Sequence, residues 1–563
     1  MTRLSPTRRQ LLQSLAAAGV GSAVFQRALA ADAEEAGAVT EEMIKQAEWI
    51  AGISLPDAER KTLVKSLTQL LRDIRAVRAA AVPYDVPPAL VFDPAPWLPP
   101  ASGPVHRDVE PISAAAPKKP DSDDGLAFLP ITALAALVRT RQVSSVELTK
   151  LYLERLKKYD PALHCVVTLT EDVALKQAER ADREIAAGRY RGPLHGIPWG
   201  AKDLIAYPGY KTTWGAGHFK DQTIDVKATV ARRLEEAGAV LVAKLTLGAL
   251  AMGDQWFGGM TRNPWDPKEG SSGSSAGSAS AAVAGLIGFG IGSETLGSIV
   301  SPCSRCGATG LRPTFGRISR HGCMTLSWSM DKLGPIARSV EDCALVFAAI
   351  HGADGQDPAA VDRPFAWPPP RDLRTLRVGY VEGRRPVADR EELTILRDLG
   401  VRLVPIKLPD KIPITPLRFI LSTEAAAAFD DITRQGVHEG LGLWPETFRE
   451  KRFVPAVDYI RANRVRTQLM RAMDEVMRDV DLYVGGNRDE LLITNLTGHP
   501  TAALPHGTRK TKAGLETPTA VTFTGRLYGE TELLAVAHAF QQATGQHLRR
   551  PPMDKLTATQ AGG

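Results

Sequence analysis

Aromatic residues make up only 6% of the 563 positions, and there are five cysteines, Cys165, Cys303, Cys306, Cys323 and Cys343. So few thiols, odd in number, exclude a disulfide-stapled scaffold. No apolar run of about 20 residues occurs past the N-terminus, which excludes a polytopic helical membrane protein. A long Lys/Arg block is also missing, so nothing points to nucleic acid as a partner. Neither a P-loop nor a dinucleotide-type glycine spacing is present, and no repeat of fixed period is visible. Cys303 and Cys306 have C-x-x-C spacing, but no second pair or H-x-x-x-H follows, so they read as a structural turn rather than a metal site. An oxidised pair is the alternative outside a reducing compartment.

Acidic residues are absent before Asp32, whereas Arg3, Arg8, Arg9 and Arg27 precede it. Without residues 1–30 the chain holds 65 basic and 63 acidic residues, a balance of +2 in place of +6. Arg8-Arg9 stands directly before the mild apolar stretch Leu11 to Phe25, and Ala28-Leu29-Ala30 supplies a small-x-small cleavage pattern. Residues 1–30 are therefore expected to be a twin-arginine export signal, placing the mature chain in the periplasm or outside the cell. The stretch is too short and too rich in Ala and Gly to be a stable membrane anchor.

What remains is a large globular chain, 44% apolar, which excludes disorder throughout. Residues 31–82 are expected to be a helical extension: Ser54-x-x-Asp57 resembles a capping box, and Leu63, Leu67, Leu70, Leu71, Ile74 and Val77 form one apolar stripe. Between Pro83 and Pro120 there are 11 prolines in 38 residues, so 83–124 reads as an extended connector or strap. From there to about 550 amphipathic helices alternate with short apolar runs such as 165–169 and 239–243, which predicts an α/β layered fold. Residues 551–563 read as a tail.

Three segments carry candidate chemistry. Gly196-Ile197-Pro198-Trp199-Gly200-Ala201-Lys202 places a lysine at the end of an apolar segment; a buried lysine loses its proton easily and becomes a base. Gly270-Ser271-Ser272-Gly273-Ser274-Ser275-Ala276-Gly277-Ser278 runs into small residues suited to tight packing, which a flexible linker does not need. Gly292-Ser293-Glu294-Thr295-Leu296-Gly297-Ser298 permits a turn whose N–H groups converge beside a hydroxyl, the requirement of an oxyanion hole.

These segments, together with Gly192–Pro198, Asn263–Pro267, Gly310–Arg317, Leu333–Ser339, Asn495–Pro500 and Tyr528–Leu534, resemble the amidase signature family over roughly 125–545, most weakly between about 355 and 480. The resemblance implies a mixed central β-sheet covered by helices on both faces, no cofactor, and a small-molecule amide substrate. It also implies a Ser–Ser–Lys triad: Lys202 as base, Ser274 as a bridging serine held by a cis peptide bond, and Ser298 as nucleophile. The backbone N–H groups of Thr295, Leu296, Gly297 and Ser298 would form the oxyanion hole. By the same resemblance Gly248, Met252, Trp256 and Trp328 are assigned weakly to substrate binding. Ser272, Ala276, Leu296 and Val300 depart from the family pattern, Val300 replacing a usual arginine.

Three other readings compete. Gly273-Ser274-Ser275-Ala276-Gly277 fits the nucleophile elbow of α/β-hydrolases, with Ser275 as nucleophile. An ester or carbamate could react at the same triad, and a glutaminase subunit of a tRNA-dependent amidotransferase shares it. Homodimerisation is left open.

Overall fold

The computed structural model describes residues 39–51, 53–79, 86, 90–99, 109–111, 117–369, 372–382, 389–485 and 488–558. The export signal expected over 1–30 lies outside them, as do parts of the proline-rich stretch and of the tail. The chain divides into two compact units, Met1–Val86 with Phe453–Asp458, and Pro87–Arg452 with Tyr459–Gly563.

The first unit contains the helices Glu41–Ala51 and Asp57–Ala79. Each opens on acidic residues, Glu41 and Glu42 in one, Asp57 and Glu59 in the other, where the positive end of the helix dipole favours them. Arg60 of the second helix lies 2.5 Å from Glu48 of the first.

The second unit is built on an eleven-stranded mixed sheet. In chain order its strands are β1 (Val166–Leu169), β2 (Pro198–Lys202), β3 (Val240–Leu245), β8 (Phe289–Glu294), β9 (Thr309–Arg312), β10 (Lys332–Ala337), β11 (Arg377–Val381), β12 (Arg402–Ile406), β13 (Leu482–Gly485), β14 (Thr501–Lys510) and β15 (Glu516–Gly525). Two small ribbons lie apart from it: β4 (Gln255–Trp256) with β5 (Gly259–Met260), and β6 (Arg262–Asn263) with β7 (Asp266–Gly270). The spatial order is β1-β3-β2-β8-β10-β9-β14-β15-β13-β11-β12.

Near one end, β3, β2 and β8 run parallel. Every residue of these three strands is buried, as expected of a parallel sheet segment covered by other layers. Trp199 of β2 stacks on Phe289 of β8, ring centroids 6.2 Å apart. Because β2 and β8 are parallel, both finish at the same edge, β2 on Lys202 and β8 on Ser293-Glu294. Ligands of open α/β sheets gather at such carboxyl ends.

The helix Ala276–Val283 is buried along its whole length and packs on β8. Small residues on both partners allow the approach. A Cβ on Gly292 would stand 2.7 Å from Ser275 Oγ. With that space free, Ser278 Oγ donates to the Ile291 carbonyl at 3.1 Å and Ser275 Oγ to the Ser293 carbonyl at 3.0 Å. The serine- and glycine-rich run is thus a rigid turn leading into a core helix.

Candidate active site

Lys202 ends β2 with its side chain wholly buried. The next residue fixes the chain's exit: Asp203 accepts from the Thr213 N–H at 2.8 Å and pairs with buried Lys244 at 2.7 Å. Among the described residues Lys202 has no comparable ion pair. Its Nζ lies 2.8 Å from Ser274 Oγ, 2.8 Å from Ser293 Oγ, 3.1 Å from Ser275 Oγ and 3.2 Å from the Ser293 carbonyl. Burial penalises the ammonium, and the more distant charges of Asp331 and Glu294 do not offset it. The amine is held well below the ordinary lysine range.

Ser274 is wholly buried, and the Gly273–Ser274 peptide is cis. Ser275, the nucleophile of the elbow reading, is differently placed. Its hydroxyl is fully buried and receives the Ser293 N–H at 3.1 Å. It follows the short ribbon strand β7 rather than a buried parallel strand, so the strand–turn–helix context of an elbow is missing.

Beyond Glu294 the chain turns sharply. Gly297 has φ +83°, a left-handed conformation that glycine adopts without a steric penalty. Among the described residues, no protein acceptor takes the N–H groups of Thr295, Leu296, Gly297 or Ser298. Ser298 is largely buried, and its carbonyl accepts the Ser275 N–H at 3.0 Å, tying the turn to the serine loop. Thr295, Leu296, Ser298 and Gly273 line one cavity of about 430 Å³, together with Ala251, Met252, Gly253, Leu326, Phe419 and Trp444. Thr295, Leu296 and Ser298 therefore stand on one wall of this cavity.

No sequence pattern marks Glu294, yet it anchors this turn. One carboxylate oxygen accepts the N–H groups of Ile299 at 2.8 Å and Val300 at 2.9 Å. The other meets Arg312 at 2.7 Å and Asn495 at 2.8 Å. Burial alone would raise its pKa, but Arg312, the Val300 N–H and the charge of Lys332 hold it at about 2. Val300 brings no charge to the start of its helix, and the guanidinium that meets Glu294 belongs to Arg312 on β9. Thr295 is fixed too, its hydroxyl donating to Asp331 at 2.6 Å.

Of the weaker substrate assignments, Met252 lines the cavity, whereas Gly248, Trp256 and Trp328 are not among its described lining residues. The Gly248 N–H donates to the Gly253 carbonyl at 3.1 Å, closing the loop behind Met252. Trp256 packs edge-on against Phe257, centroids 4.8 Å apart. Trp328 gives its carbonyl to Arg320 at 2.7 Å. The far wall comes from residues that carry no motif, on the helices Phe419–Ala428 and Trp444–Lys451. Trp444 fixes it, its indole N–H donating to the Ala249 carbonyl at 3.1 Å. Cys303 and Cys306 are free thiols buried in the helix Val300–Cys306. No cluster of His, Cys, Asp or Glu among the described residues could hold a metal.

Comparison with known proteins places the chain in a family. The amidase family model matches residues 147–486. A putative amidase, AmiD, of Mycobacterium bovis is 34% identical over 479 residues, covering 78% of this chain and 99% of its own. A glutamyl-tRNA(Gln) amidotransferase subunit of Chloroflexus aurantiacus is also 34% identical, over 76% of this chain and 99% of its own. Among solved structures, native peptide amidase from Stenotrophomonas maltophilia superposes with a TM-score of 0.64 at 31% identity, covering 75% of this chain and 98% of its own. With the mixed sheet and the lysine–serine cluster at the ends of two parallel strands, these matches make the chain a member of the amidase signature family.

Proposed function

We propose that this chain hydrolyses a carboxylic amide through an acyl-enzyme on Ser298, with Lys202 as base and Ser274 as relay. One observation carries the reading: a wholly buried amine whose near partners are hydroxyl and carbonyl oxygens, 2.8 Å from Ser274. Neutral Lys202 takes the Ser274 proton as Ser274 takes that of Ser298, and Ser298 Oγ bonds to the amide carbon. The carbonyl oxygen becomes an oxyanion facing the N–H groups of residues 295–298. Such donors are each worth about 2.7–4 kcal/mol in transition-state stabilisation. Ser274 returns a proton to the leaving nitrogen, the C–N bond breaks, and water repeats the sequence to release the acid.

The test is a panel of aryl, fatty and peptide amides together with a fluorophosphonate probe. Ser298→Ala should lose turnover by at least about a thousandfold and lose covalent labelling. Loss on Ser275→Ala with activity retained in Ser298→Ala would overturn the assignment. A glutaminase reading draws on the 34% identity to the amidotransferase chain; release of ammonia from glutamine, with the other amides inert, would favour it. Esters and carbamates in the same panel rank the remaining alternative.

We further propose export by the twin-arginine route. The Arg8-Arg9 pair, the acid-free start and the Ala28-Leu29-Ala30 pattern support it.

A further inference from the structure

The cavity facing Ser298 has an apolar side and a charged rim. Met252, Leu296, Leu326, Phe419, Leu421 and Trp444 form the first; Arg418, Glu450 and Lys451 form the second. Lys451 is already neutralised, its Nζ 2.7 Å from the Glu450 carboxylate. Arg434 and Arg452, on the same stretch of chain, share Asp430. Arg418 differs from all of these. Among the described residues its side chain has neither an ion-pair partner nor a hydrogen bond. The rim therefore carries one uncompensated positive charge beside an apolar surface.

An unpaired arginine on an open surface is usually a solvated one. Arg418 is exposed at the mouth of the cavity, but an apolar wall lies on one side of it, and its guanidinium fork matches a carboxylate in two-point fashion. We propose that the substrate is an amide with an apolar body and a carboxylate remote from the scissile bond, and that Arg418 binds that carboxylate. This rests on the amide-hydrolase reading of the same site. With Lys451 neutralised by Glu450, Arg418 is the charge that a substrate ending in an ammonium group meets, and it repels that group.

The test uses two matched series of aryl-alkyl amides, one varied on the acyl half and one on the amine half. Each series ends in a carboxylate, a hydroxymethyl or an aminomethyl group. The wild-type protein should favour the carboxylate member over the hydroxymethyl member by about tenfold in kcat/KM, mainly through KM, in at least one series. Arg418→Gln should bring that ratio close to one, Arg418→Lys should keep part of it, and Arg418→Glu should turn the preference towards the aminomethyl member. The proposal is overturned if neither series shows a carboxylate preference, or if the preference survives Arg418→Gln. Hydrolysis of the hydroxymethyl members with labelling of Ser298 reports the reaction separately. If labelling and all hydrolysis are absent, the amidase reading itself fails and this inference falls with it.

Discussion

Burying Lys202 with no carboxylate in hydrogen-bonding contact has a cost that depends on pH. In the unfolded chain the amine takes a proton below its ordinary value of 10.5, while in the folded chain it stays neutral well below that value. The unfolded state then binds one more proton throughout that interval, so stability rises with pH by about 1.4 kcal/mol per unit. Lys202→Met, similar in length and without charge, removes the slope. The variant should be inactive yet more stable than wild type near pH 7, with the gap narrowing towards pH 10, as read from urea midpoints. A deficit that is constant across pH would show that the lost hydroxyl contacts outweigh the desolvation. At this scale the lysine closing an apolar segment and the two glycine-rich turns are legible in the sequence, whereas the choice of Lys202, Ser274 and Ser298 as proposed base, relay and nucleophile comes from the family resemblance. Glu294 does not, because a single acid in a glycine-rich turn gives no signal until Arg312, on another strand, is seen beside it.

The elements at the site are held by that same pair. β8 delivers Glu294, β9 delivers Arg312, and the first N–H groups of the helix Val300–Cys306 close on the carboxylate. Both side chains are wholly buried, so removing one leaves an uncompensated charge. Arg312→Met should destabilise the protein by about 3–5 kcal/mol at neutral pH. The sign of the acid dependence follows from the lowered pKa of Glu294. Its contribution is present above the ordinary value of 4.5 and is lost as pH falls from there through about 2. The difference between Arg312→Met and wild type should therefore shrink below pH 4, which a urea-midpoint series checks. The α/β alternation and the tight packing of the serine run are readable from residue type and period. Strand order is not, because β2 pairs with β8 across some 90 residues and no local pattern encodes that partner.

For the molecule as a whole, motifs mark the proposed reacting residues but not the walls of the cavity beside them. Arg418, Phe419 and Trp444 lie where the family resemblance is weakest, and their shared cavity arises only from folding. The proline-rich stretch is another case: read as a connector or strap, it has Phe92 in edge-to-face contact with Phe315, under the Arg466 guanidinium at 3.6 Å. Arg466 in turn holds Ser329, which donates to Glu424 on the cavity-wall helix. The proposed export is tested on the whole chain. Wild type should accumulate outside the cytoplasm as a shortened species, and replacing Arg8 and Arg9 together by Lys should leave the protein in the cytoplasm with its leader uncleaved. Fractionation with N-terminal sequencing checks this.

On the proposed mechanism the reacting groups come from residues 202–298, while much of the cavity wall comes from 418–451. Bond cleavage and molecular taste are therefore written in separate passages of one chain. Drift in the later passage can retune what is accepted while the earlier one stands untouched, so closely related sequences with the same serines and lysine need not share a diet.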